Sequence, residues 1–156
     1  MHLEFASHVH ASVAEVFDFF QQPENLTLLL RGWPSFRLIR CAKVVRTGGH
    51  LWIEENAAGL LPIAMGFEFI RFEPGVLFSE RIIHGPFSVF DHAHKFEADA
   101  NGTVVRDTIE CELKWPYGGA PATAFLVAPR LRRLFAYRAE RLKALLGNAE
   151  ARRKEM

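Results

Sequence analysis

Two histidines, His92 and His94, lie two positions apart in the apolar run GPFSVFDHAHKFE at 85–97. Such a pair can move protons near neutral pH, chelate a metal, or orient the polar end of a bound molecule. Residues two apart in a strand share a face. Phe90, His92, His94 and Phe96 therefore belong together, opposite Val89, Asp91, Ala93, Lys95 and Glu97. The second set carries three charges and is expected to face water, which turns both imidazoles inward among aromatic rings.

Two carboxylates come within reach of these rings. Asp107 falls opposite His94 if residues 99–102 form the turn, and diagonal to it if Asn101-Gly102 alone does. Glu80 falls beside His92 if a five-residue connection spans His84 to Ser88. A buried carboxylate without a partner loses hydration or takes up a proton, and a histidine can supply the missing hydrogen bond. Glu80, His92, His94 and Asp107 are thus the candidates for acid–base catalysis. The same four could instead orient a ligand or simply satisfy one another in the core. Histidines at i and i+2 can chelate, but a closed zinc site wants four ligands in tetrahedral array, and Glu97 points to the wrong face. No metal and no other cofactor is expected. Ser79 has no evident base and no nucleophile-elbow glycines, and Gly48-Gly49 reads as a hairpin turn rather than a phosphate loop.

The elements that position these residues follow from periodicity. Leu3, Phe5, Ser7 and Val9 alternate with polar or small residues in an opening strand. Ser12 and Glu15 have the spacing of a capping box for a helix carrying Val13, Val16, Phe17 and Phe20 on one face. Pro23 starts a second short helix that Gly32 and Pro34 end. Strand patterns follow over Phe36–Val45, Leu51–Asn56, about Ile63–Ile70, a stretch containing Phe78, Glu80 and Ile82, then Phe87–Glu97. The last strand puts Val105, Asp107, Ile109, Cys111, Leu113 and Trp115 inward. Pro116–Pro121 is a Gly/Pro connection, after which helical periodicity runs to about Leu146. Leu131, Leu134, Phe135, Arg138, Leu142 and Leu145 form its apolar stripe. Pro129 either kinks this helix or starts its main part, and Gly147 stops it.

This order predicts an α+β protein with a curved antiparallel sheet of about seven strands wrapped around a long C-terminal helix. Residues 1–147 are expected to form one domain and 148–156 a frayed basic tail. Room between sheet and helix is the expected ligand site. Its walls would be Met65, Phe67 and Phe69, then Phe78, Glu80 and Ile82, then Phe90, His92, His94 and Phe96. Asp107, Ile109, Leu134 and Arg138 would complete it. Arg138 could reach a cavity carboxylate or a ligand anion, or extend to the rim.

Composition agrees with a dry interior. The 156 residues are 49% hydrophobic and include 14 Phe but only 2 Tyr, bulk without hydroxyls to satisfy. Net charge is +1, although residues 130–156 alone carry +6. That segment could dock an anionic surface, but a solvated helix face is the simpler reading, and no nucleic acid partner is expected. The N-terminal residues lack a signal-peptide pattern and no apolar run is long enough to span a membrane. A cytoplasmic monomer or homodimer, with Cys41 and Cys111 as free thiols, is expected.

The ordered series Ser12-Val13-Ala14-Glu15-Val16-Phe17, Pro23-Glu24-Asn25-Leu26, Phe72-Glu73-Pro74, Gly85-Pro86-Phe87, His92-Ala93-His94-Lys95-Phe96, Asn101 to Asp107 and Phe135-Ala136-Tyr137-Arg138 resembles the START-like (SRPBCC) superfamily. The bacterial ligand-binding, cyclase/dehydrase-like branch is the nearest pattern. The resemblance implies the helix-grip fold and binding of a small hydrophobic or amphipathic molecule, such as a lipid, a polyketide-like compound or an aromatic. A cyclase/dehydratase-like enzyme, or an interaction module working through the basic last helix, are the alternatives. Phe90 and Met65 stand where that branch commonly has an aromatic, usually Trp, and Ile82 where it has a polar residue, which implies a more apolar cavity.

Overall fold

The computed structural model describes residues 1–57 and 61–147; the expected tail at 148–156 lies outside the described residues. The chain opens with β1 (His2–Val9) and α1 (Val13–Phe20). Ser12 Oγ accepts from the Glu15 backbone N–H while the Glu15 carboxylate accepts from the Ser12 N–H, so both orphan donors at the helix start are met. A 3₁₀ turn at Pro23–Asn25 runs into the single-turn α2 (Leu26–Leu29). Strands β2 (Arg37–Cys41), β3 (His50–Ala57), β4 (Leu61–Glu73), β5 (Leu77–His84), β6 (Phe87–Asp99) and β7 (Gly102–Leu113) follow.

All seven strands form one antiparallel sheet in the order β1-β7-β6-β5-β4-β3-β2. The first strand pairs with the last, and β2 to β7 lie side by side in chain order. Gly102 opens β7 with φ +148°, and a Cβ there would lie 2.1 Å from the Val9 carbonyl oxygen. Only glycine lets the β6–β7 hairpin approach the end of β1 so closely. After a 3₁₀ turn at Trp115–Tyr117, α3 (Gly119–Ala122) passes through one π turn (Thr123–Val127) into α4 (Ala128–Leu146). Pro129 lies in the first turn of α4, where a missing N–H costs nothing.

This is the helix-grip α+β fold. The buried stripe of α4 is Ala128, Leu131, Phe135, Arg138 and Leu142, spaced to face the sheet at every turn. The larger core joins Val16, Phe17 and Leu29 of the short helices to Phe67, Phe69, Phe78 and Phe96 of the sheet and Leu142 of α4. A smaller core joins Leu3 and Ile109 to Leu131 and Phe135.

Two expectations are corrected. The strand expected over Phe36–Val45 ends at Cys41, because residues 42–49 turn away, with the Val45 N–H donating to the Gln21 carbonyl at 2.7 Å. Trp115 does not extend the inward face of β7; it sits in the 3₁₀ turn, 83% exposed, since the chain leaves the sheet after Leu113. Among the described residues, no helix is long and apolar enough to cross a membrane.

Candidate functional site

Strands β5, β6 and β7 lie side by side, and their register sets the site. Glu80 pairs with His92 and Phe78 with His94 across β5–β6. His94 pairs with Asp107 and His92 with Ile109 across β6–β7. Each carboxylate is therefore beside one imidazole and diagonal to the other, all on the face that α4 covers. The hairpin takes the register expected of a turn over residues 99–102, but Asp99 and Gly102 pair with each other and only Ala100-Asn101 lie between the strands.

The four side chains form a closed square. His92 Nδ1 lies 3.1 Å from Glu80 Oε1, and His92 Nε2 lies 2.9 Å from Asp107 Oδ1. His94 Nε2 lies 3.3 Å from Glu80 Oε1, and His94 Nδ1 lies 2.7 Å from Asp107 Oδ1. The last contact is close but off the direction of a hydrogen bond, so His94 Nδ1 has no well-aligned acceptor. Glu80 Oε2 is buried with no partner. All four residues are buried. The imidazole centroids are 3.9 Å apart, and the rings of Phe20, Phe78 and Phe135 pack around them.

The enclosure sets the protonation chemistry. Burial pushes the Glu80 carboxyl up, but the charges of His94 and His92 and their hydrogen bonds outweigh it and hold it below the usual carboxylate range. Asp107 is held down against burial by its contacts with His92 and His94, with Arg138 adding its charge. Burial disfavours the His94 cation, yet the charge of Glu80 and the adjacent Asp107 raise its pKa to about 9. Arg138 reaches in from α4 and packs its guanidinium over Phe135, 4.6 Å from the ring centroid.

A cavity of about 50 Å³ adjoins the square. Glu80, His94 and Arg138 form its polar end; Phe20, Leu26, Leu29, Val45, Leu51, Phe69 and Phe78 supply apolar wall, and exposed Gln22 stands at its outer side. A second cavity of about 10 Å³ touches Asp107, Ser7 and Arg138. The two share Phe20, Leu29 and Arg138 as common wall.

Of the residues expected to line the cavity, Phe69, Phe78, Glu80, His94 and Arg138 do so, and Asp107 faces the smaller space. Phe67, Phe96 and Ile109 are buried in the core, and Met65, Ile82, Phe90 and Leu134 are partly buried packing residues. His92 borders neither space. The hollow is small, because Phe17, Phe20, Phe78 and Phe96 pack ring against ring between α1 and the sheet and Phe135 of α4 packs on His92. It lies under α1 and α2 rather than along α4. Sequence reasoning missed Phe20, Leu26, Leu29, Val45 and Leu51. Their apolar faces were visible, but periodicity does not say which part of the sheet a short helix covers.

No protein-family profile and no curated protein sequence matches the chain. Solved structures do. Protein TTHA0849 from Thermus thermophilus aligns with a TM-score of 0.71 at 17% identity, over 93% of this chain and 99% of that one. The AHSA1-like protein from Aeromonas hydrophila gives 0.66 at 13%, over 93% and 94%. Ara h 8.0201 gives 0.62 at 13%, over 91% and 97%. At these identities the shared feature is the fold, and it is the helix-grip fold that the sequence pattern implied.

Proposed function

We propose that this protein binds a small amphipathic molecule beneath α1 and α2, with the molecule's polar end against Glu80, His94 and Arg138. The observation that carries this reading is the presence of three ionisable groups in a cavity whose remaining lining is mostly apolar, one of them offering a buried oxygen, Glu80 Oε2, without a partner. A ligand that donates to Glu80 and accepts from Arg138, such as a phenol or a hydroxy acid on a lipid, polyketide-like or aromatic body, satisfies both. The cavity holds only water-sized occupants, whereas small-molecule sites are usually about 300–1,000 Å³. Binding therefore displaces Phe20 and moves the α1–α2 segment outward. Hiding about 300 Å² of apolar ligand surface offers roughly 7 kcal/mol toward that opening.

A second reading shares the site. His94, flanked by two carboxylates at the cavity wall, is placed to pass a proton to or from a bound substrate, as a cyclase/dehydratase-like enzyme would require. Binding is the reading the geometry supports best, because it asks nothing of the square beyond hydrogen bonding.

The test is displacement of the fluorescent probe 8-anilinonaphthalene-1-sulfonate by a panel of amphipathic phenols, hydroxy acids and fatty acids. One saturable site with micromolar affinity is expected, weakened at least tenfold by Leu26→Trp at the cavity mouth and shifted away from anions by Arg138→Gln. Binding that neither substitution alters would place the ligand elsewhere and end the proposal.

A further inference from the structure

Glu80, His92 and His94 converge, with one potential ligand atom from each within 4.8 Å of the others. We propose that these three residues bind a divalent first-row transition-metal ion, zinc foremost, through Glu80 Oε1, His92 Nδ1 and His94 Nε2. Asp107 then holds the far nitrogen of His92 and lies beside that of His94. The inference goes beyond the binding function proposed above and does not depend on it.

Four observations carry it. The first is the spacing of the donors. Zinc bonds of about 2.0–2.2 Å in a tetrahedron set neighbouring ligand atoms about 3.3–3.6 Å apart. Glu80 Oε1 lies 3.1 Å and 3.3 Å from His92 Nδ1 and His94 Nε2, near that spacing, and the three donors all lie within 4.8 Å of one another, so side-chain adjustment alone brings them onto one ion.

The second is Asp107. Metal-bound histidines usually give their other ring N–H to a carboxylate, which fixes the tautomer and the ring orientation. Here one carboxylate oxygen, Asp107 Oδ1, lies against both far nitrogens, 2.9 Å from His92 Nε2 and 2.7 Å from His94 Nδ1. The His92 contact is a hydrogen bond that turns the Nδ1 lone pair of that ring toward Glu80; the His94 contact is close but misaligned, and a small rotation of that ring would complete it.

The third is the buried Glu80 Oε2 without a partner, which can serve as a second donor from the same carboxylate. The fourth is the cavity. Glu80 and His94 border the space of about 50 Å³, enough for a water on an open coordination position. Three protein ligands plus an open position is the arrangement of zinc sites that do chemistry, and two histidines with one carboxylate also suit ferrous iron.

Charge and energetics agree. Metal binding displaces the proton that the square holds on His94; two neutral imidazoles and two carboxylates then balance a dication, with the Arg138 cation beside Asp107 outside that balance. Four buried ionisable groups held only for stability would be a poor device, since apolar side chains of similar volume often serve as well or better. Counting ligands along β6 alone gave no metal, because Glu97 faces water; the third ligand comes from β5.

The experiment uses the full chain without an affinity tag, stripped with chelator and titrated with Co²⁺, followed by Zn²⁺ competition. One equivalent of Co²⁺ per chain is expected, with the intense visible absorption of a low-coordinate site, displaced by one equivalent of Zn²⁺. Glu80→Gln, His92→Ala and His94→Ala should each weaken binding about 100-fold or more, and Asp107→Asn about 10–100-fold. A His8→Ala/His10→Ala variant should bind like wild type; that surface pair, with centroids 4.8 Å apart, is the competing adventitious site. Uptake of well under one equivalent by the wild type overturns the proposal even if every variant misfolds. Loss of binding in the His8→Ala/His10→Ala variant, or its survival in folded Glu80→Gln, does the same. Failure of metal uptake with the amphipathic probe still bound removes this inference and leaves the binding function in place.

Discussion

At the residue scale, the square of Glu80, His92, His94 and Asp107 behaves as a unit. Removing one member strands a charge among Phe20, Phe78 and Phe135. His94→Leu and Glu80→Leu should each cost about 3 kcal/mol. The double variant should cost clearly less than the sum, because His92 and Asp107 keep each other at 2.9 Å. Urea denaturation of the four proteins checks this, and additive losses would contradict it. The same square makes the stability of chelator-treated protein depend on pH. His94 faces Glu80 on β5, Asp107 on β7 and His92 on its own strand, with Arg138 nearby on α4. Its pKa is raised to about 9, so its contribution is complete below the unfolded value of about 6.5 and is lost as pH rises through 9. Glu80 and Asp107 are held down, so theirs is present above about pH 4 and is lost as pH falls. Thermal midpoints should peak between about pH 5 and 6.5, and His94→Gln should flatten the alkaline decline. The pairing itself was legible in the sequence, because alternation and turn chemistry fix which residues face which. The square's closure was not, since it depends on both rings lying between the carboxylates.

At the element scale, the β6–β7 hairpin and the β7-to-helix junction hold the site in register. Gly102→Ala puts a Cβ against the Val9 carbonyl at an unfavourable φ, and a loss of at least about 2 kcal/mol is expected. Thr123 ties the junction together: its hydroxyl donates to the Gly119 carbonyl at 2.8 Å and accepts from the Leu113 N–H at 2.9 Å. Thr123→Val leaves that buried N–H unpaired and should cost about 1–3 kcal/mol, read from the shift in denaturant midpoint at unchanged slope. The Asn101-Gly102 signal marked the hairpin but not its register, which pairs Asp99 with Gly102, whereas the Ser12–Glu15 capping box and the Gly147 stop could be read from local chemistry alone. The π turn at Thr123–Val127 and the early end of β2 could not. Both are set by tertiary partners, the Leu113 N–H in one case and the Gln21 carbonyl in the other.

At the scale of the whole molecule, the strand order and the long helix followed from the alternation of patterns, and the helix-grip architecture with them. The place and size of the cavity did not. They depend on how α1 and α2 seat on the sheet and on how fully the phenylalanine rings interlock, which no period in the sequence encodes. The account rests on the apolar space under α1–α2 opening to receive a small molecule at Glu80, His94 and Arg138. Native mass spectrometry of untagged protein, after incubation with the amphipathic panel, tests this most directly. The predicted result is one noncovalently bound molecule per wild-type chain and none in an equally folded Leu26→Trp variant. A wild-type chain that carries no small molecule under any of these conditions, or a variant that carries the same one equally well, would contradict it.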